Sequence, residues 1–147
     1  MTAALRPDAS GSARAFWATV LAAALAVLAL SRFLQPDPSG FGTHTQLGLP
    51  PCAFRAITSL PCPTCGLTTA FAYMARLQIT SAVRSHPLGL PLFALDVTAV
   101  PLSLLGFARA WPINHALRRL RVGSVAVIIS VAALLAWVAR LIVILRA

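Results

Sequence analysis

Three stretches of the chain are apolar almost without interruption: residues 15–34, 87–107 and 122–145. At a rise of about 1.5 Å per residue the shortest of them reaches ~30 Å, the thickness of a bilayer's hydrocarbon core. The pattern predicts an all-α integral membrane protein with three transmembrane helices. Residues 1–14 form a short tail, and the first run ends in Ser31-Arg32-Phe33-Leu34 with no small-residue cleavage site, so it is read as an uncleaved anchor. Residues 35–51 break the pattern, because Pro36, Pro38, Gly40, Gly42, Gly48, Pro50 and Pro51 rule out a regular helix. Past this break, 66–76 and 77–85 read as two short helices, the second lying at the membrane interface. Pro91 and Pro101 fall inside the second span, where a kinked helix is expected.

Composition strengthens this reading. With 59% hydrophobic and 10% charged residues and a mean hydropathy of +0.83, the chain is too apolar for an ordinary soluble domain. The net charge of +9 comes from twelve arginines against Asp8, Asp37 and Asp96, and many of the arginines flank apolar runs. Membrane topology explains them better than nucleic acid, which is not expected as a partner. The tail before the first span and the loop 108–121, with Arg109, Arg118, Arg119 and Arg121, are short and basic, so both are placed in the cytoplasm. The long loop 35–86 then lies outside. Tyr73 and Trp137 fit an external aromatic belt, Trp17 and Trp111 a cytoplasmic one.

That external loop holds every cysteine in the chain: Cys52, Cys62 and Cys65. The last two are spaced Cys-x-x-Cys beside the turn-forming Pro61, Pro63 and Gly66, which suggests a fixed cluster. Three chemistries suit it. The cysteines with His44 would make a tetrahedral Cys3His set for a structural metal, most naturally zinc, ordering a loop with little apolar content of its own. An oxidising exterior favours instead a structural disulfide with one thiol left over. A Cys-Pro-Thr-Cys run at the start of a helix also resembles arrangements that lower a thiol pKa for exchange chemistry.

The run Pro51-Cys52-x-Phe54-x-Ala56-x-Thr58-x-x-Pro61-Cys62-Pro63-x-Cys65-Gly66-x-Thr68, followed by a short helix and His86-Pro87, resembles the bacterial membrane-protein family named domain of unknown function 2752. The family pattern more often has Arg at Thr69, Gly-Asp at Leu77-Gln78 and Asn at His86. The resemblance implies a small helical protein of the bacterial cytoplasmic membrane with an external cysteine motif, and it brings no activity with it.

Other positions matter less. Ala18, Ala22 and Ala26 make a small-residue strip along the first span, suited to close approach of another membrane protein or a second copy. Asp96 lies within the second span, and Arg140 near the outer end of the third is its expected partner. His86 reads as a helix-start residue, and Thr68 and Thr69 as bonding to their own helix. No Gly-rich phosphate loop, carboxylate pair or serine-hydrolase elbow is present. Two function classes follow: a non-enzymatic component that binds another membrane protein through the ordered loop, and a membrane thiol-disulfide oxidoreductase using Cys-Pro-Thr-Cys.

Overall fold

A computed structural model describes residues 7–112 and 121–146, excepting the side chains of residues 7–10, 140 and 143–145. Its helices are α1 (Pro7–Phe33), α2 (Ala53–Thr58), α3 (Leu67–Met74), α4 (Ile79–Ser85), α5 (Gly89–Ala108) and α6 (Val122–Arg146), with one 3-10 turn at Thr43–Leu47. No strand occurs among the described residues. Three helices are long and apolar enough to cross a membrane, over Gly11–Phe33, Gly89–Ala108 and Val122–Ala139.

The spans fall where the apolar runs place them, with one difference. α1 already covers Pro7 to Arg14, so residues 7–14 are helix rather than loose tail. Ala13 in this stretch is buried. Pro91 lies in the first turn of α5, where its missing N–H has no acceptor to lose. Pro101 sits inside α5, which is assigned as one helix through it. His115, Arg118 and Arg119 lie outside the described residues.

α1 and α5 pack antiparallel as the most extensive helix pair. The buried positions of α1 are Ala13, Trp17, Ala24 and Ser31, which recur on one face. Ser103 and Gly106 are buried on α5, and a Cβ at Gly106 would collide with the Trp17 ring. The Trp17 indole also donates to the Trp111 carbonyl at 3.0 Å, fixing the N-terminal part of α1 beside the C-terminal end of α5. Ala18, Ala22 and Ala26 lie on an exposed face instead, so the alanine strip does not serve this contact.

At the other end of the pair sit α3 and α4, whose small core is Ala70, Met74 and Ala82, with Tyr73 and Phe93 against it. A Cβ on Gly89 would strike Ala70, which is why the start of α5 can approach α3 so closely. Arg76, just past α3, reaches the C-terminal end of α1. Its guanidinium donates to Ser31 O at 3.2 Å, Arg32 O at 3.0 Å and Ala72 O at 2.8 Å. A cation on carbonyls that have lost their helical partners satisfies both their hydrogen bonding and the helix dipole.

Candidate functional site

The loop between α1 and α3 is built from turns, and each turn has a local cause. Asp37 accepts the Ser39 N–H at 2.8 Å. Hydrogen bonds from Ser39, with the more distant Arg55 charge, hold its carboxyl below the usual range against a small opposing effect of burial. The Thr43 hydroxyl, fully buried, receives the Asp37 N–H at 3.1 Å and pairs with the Thr69 hydroxyl at 2.8 Å. Thr69 thus ties the loop to α3 rather than serving only its own helix.

After Pro50-Pro51, Cys52 caps α2, its carbonyl accepting the Ala56 N–H at 3.0 Å. α2 is short because Ser59 turns the chain in the left-handed region (φ 60°), and Pro61 lies two residues on. The excursion from Cys52 therefore returns at Cys62. Two turns follow, Cys65 N–H to Cys62 O and Leu67 N–H to Thr64 O, both at 3.1 Å, and they run directly into α3. Gly66 between them has φ 93°, and a Cβ there would stand 2.5 Å from Ser85 O and 2.9 Å from Gly40 O. Conformation and space each require glycine.

These turns bring the three thiols together. The Sγ atoms of Cys52, Cys62 and Cys65 all lie within 4.8 Å of one another, a group that could hold a metal ion. Within it, Cys62 Sγ and Cys65 Sγ are 2.7 Å apart. Cys65 is buried and the other two are half-buried.

Clamps on either side hold the Cys62 turn. The Trp137 indole of α6 donates to Pro61 O at 2.8 Å, and Trp137 also meets Phe54 of α2 edge-on. His86 bonds Pro63 O through Nε2 at 3.0 Å, while its Nδ1 receives the Leu88 N–H at 3.3 Å. The second bond leaves the ring proton on Nε2, so His86 is a donor to the cysteine turn, buried at the α4–α5 junction.

The two close thiols differ in acidity. For Cys65 burial is the largest influence, followed by its hydrogen bond to Cys62, and together they push its pKa up to about 12. For Cys62 burial also opposes ionisation, but hydrogen bonds from Cys65, from the Thr64 hydroxyl and N–H and from Cys52 outweigh it. Its pKa falls to about 7. The pair therefore has one thiol ready to ionise near neutrality and one that keeps its proton to stabilise it.

A cavity of about 540 Å³ opens beside the thiols. Val27 and Leu30 of α1, Leu34 just past its end, and Leu67 and Phe71 of α3 supply apolar walls, and all three cysteines line it. His44 lines it too, but its Nε2 faces Pro50 O at 3.3 Å, and it stands outside the cysteine metal-donor group. Asp96 lies on α5 with Oδ2 buried and without a hydrogen-bond partner among the described residues. The side chain of Arg140, its expected partner, lies outside the described residues.

Residues 52–100 match a family model. It is described as Protein of unknown function (DUF2752). The matched stretch runs from Cys52 through the cysteine turn, α3 and α4 and into α5, so it covers the three cysteines but neither α1 nor α6. No curated protein and no solved structure matches the chain.

Trp137, His86, Thr43 and Arg76 are the parts of the site and its frame that sequence reasoning missed. Each acts on a residue distant in sequence, and for Trp137, His86 and Arg76 the acceptor is a backbone carbonyl that any residue could have offered. The one available signal was the presence of hydrogen-bonding side chains at the ends of apolar runs, which belongs equally to residues facing lipid headgroups.

Proposed function

We propose that this protein is a membrane thiol-disulfide exchange protein in which Cys62 is the attacking thiol and Cys65 the resolving one. The observation that carries the reading is the 2.7 Å approach of Cys62 Sγ and Cys65 Sγ within a turn clamped on both sides. In the exchange, the Cys62 thiolate attacks a partner's disulfide and expels one partner thiolate. Cys65, losing its proton, then attacks Cys62 Sγ, forming the Cys62–Cys65 disulfide and releasing the partner's second thiolate; run backwards, the same steps oxidise a partner dithiol. The acidities suit these roles, because the attacking thiol ionises first. A structural Cys62–Cys65 bridge in a binding loop would use the same close approach, and it differs from exchange in trapping no partner. The arginine distribution supports a cytoplasmic N-terminus and an external cysteine loop, the setting in which dithiol chemistry persists.

The test is trapping. Cys65→Ser retains the attacking thiol and removes the resolving one, so it should accumulate mixed disulfides through Cys62, and Cys62→Ser should accumulate none at Cys65. Equal trapping by both variants, or by neither, would contradict the assignment.

A second reading is favoured by a separate observation, the convergence of all three Sγ atoms within 4.8 Å. Three thiolates suit zinc, with His44 or water in the fourth position. Two thiolates on one tetrahedral zinc stand about 3.8 Å apart for a Zn–S bond of about 2.3 Å, so the Cys62–Cys65 contact would have to open. This is why the metal reading stands second. Protein purified without chelator and carrying about one zinc per chain, lost on Cys52→Ser, would move it to first place.

A further inference from the structure

We propose that the cavity beside the cysteine turn receives a lipophilic quinone, which oxidises the Cys62–Cys65 dithiol. The inference rests on the exchange reading and names the electron acceptor for that same site. A dithiol that oxidises partners must itself be reoxidised by a two-electron acceptor, and the surroundings of Cys62 and Cys65 restrict what that acceptor can be. The volume of about 540 Å³ lies within the ordinary range of small-ligand pockets. Its walls are mostly apolar, with Val27, Leu30, Leu34, Leu67 and Phe71 outweighing the polar Ser31, His44, Thr64 and Thr68. A nicotinamide or flavin nucleotide would have to leave phosphates against these walls, with no phosphate-cradling loop in the sequence to receive them.

The place of the cavity gives the route of entry. Val27 and Leu30 belong to the apolar part of α1 that is long enough to cross a membrane, and both are exposed, at 38% and 45%. A molecule dissolved in the bilayer can therefore reach the cysteines along α1 without crossing water. Many lipids could slide in by this route. Only one that accepts two electrons makes use of a wall carrying paired thiols.

The chemistry balances. The Cys62 thiolate adds to a ring carbon of the quinone, forming a C–S bond. The Cys65 sulfur attacks Cys62 Sγ, the S–S bond forms, and the C–S bond breaks with its electron pair left on the ring. Two S–H bonds are lost, one disulfide is gained, and the two protons end on the former carbonyl oxygens, giving the quinol.

The experiment uses the full chain, reduced and reconstituted in lipid nanodiscs, with a decyl-tailed benzoquinone as probe and oxidised glutathione as a water-borne comparison. Loss of quinone absorbance is followed together with free thiols, counted by alkylation and intact mass. The expected result is one quinone reduced per chain, two thiols lost and Cys52 still free. Leu30→Trp or Val27→Trp, each checked for unchanged helicity, should slow the quinone reaction at least tenfold relative to the glutathione reaction of the same variant. If glutathione bridges Cys62 to Cys65 but the quinone is not reduced, the quinone inference is overturned while the exchange reading stands. Failure of both oxidants to bridge the pair overturns the exchange reading itself. Quinone mass retained on the chain, or equal rates with the cavity filled in both variants, also overturns the quinone inference.

Discussion

The α1–α5 pair and the loop at its outer end are held by different physics. The pair is held by close contact of small residues: Ala13, Ala24, Ser103 and Gly106 let backbones and the Trp17 ring approach. In lipid this is the expected source of helix association, since burying apolar surface against a neighbour gains little over burying it in acyl chains. The loop buries almost no large apolar side chain. It is held by hydrogen bonds that side chains from elsewhere make to its own groups: Trp137 to Pro61, His86 to Pro63 and Thr69 to Thr43. One region is therefore sensitive to added volume and the other to lost polar partners. The 2.7 Å approach of Cys62 Sγ and Cys65 Sγ lies in the second kind of region, where directional bonds fix geometry more narrowly than packing alone.

The largest effect should come from Cys62→Ser. It removes the attacking sulfur and should lower exchange with a model disulfide peptide by more than about 100-fold, with helical content by circular dichroism unchanged. Retained exchange would place the chemistry on another thiol.

Added volume should then divide the two regions. Gly106→Val puts a branched side chain into the Trp17 ring and should destabilise the helix pair by about 1–3 kcal/mol, read as a lower unfolding midpoint, with Cys62 alkylation unchanged. Gly66→Ala should cost at least as much and should also change cysteine reactivity, because the Cβ meets the Ser85 and Gly40 carbonyls next to the thiols. If Gly106→Val altered the thiols as strongly, the two regions would be one mechanical unit and the contrast would fail.

Acidity sharpens the comparison next. With its pKa lowered to about 7, Cys62 should alkylate faster as pH rises through 7 and level off above ~8. At pH 7 its thiolate fraction should exceed that of an ordinary thiol by about tenfold. The same shift means that the reduced fold gains stability as pH rises from about 7 toward the ordinary thiol range, since a depressed acid favours the folded state once ionised. Cys65, raised to about 12, takes stability away at higher pH. A Cys62 rate still climbing steeply above pH 9 would remove the basis for calling it the attacking thiol.

The smallest effect is expected from Trp137→Phe, which keeps the ring against Phe54 and loses the bond to Pro61 O. About 0.5–1.5 kcal/mol is the ordinary worth of such a bond. The readout is faster alkylation of Cys65, not loss of the bundle.

The spanning helices were legible in the sequence because an apolar run of bilayer length has few other uses, and α5 and α6 begin and end within two residues of the apolar runs 87–107 and 122–145. The start of α1 was not legible, because the mixed small residues of 7–14 carry no hydrophobic period. The cysteine cluster was legible from spacing and turn residues. The clamps by Trp137, His86 and Arg76 were not, since a side chain bonding a remote carbonyl leaves no trace in either sequence neighbourhood. α2 was hidden for a related reason: Ala53–Thr58 is a single short helix that exists to return the chain to Cys62, and so short a segment has too few positions to show periodicity.

The central claim is that Cys62 and Cys65 form one redox couple and Cys52 stands apart from it. Equilibrating the purified chain across a series of glutathione redox buffers, then alkylating and weighing the intact protein, tests it directly. The account predicts two populations only, with three free thiols or with one, interconverting in a single two-electron step whose remaining thiol maps to Cys52. Three thiols that stay free at every potential, or a bridge that maps to Cys52 with either partner, would contradict it.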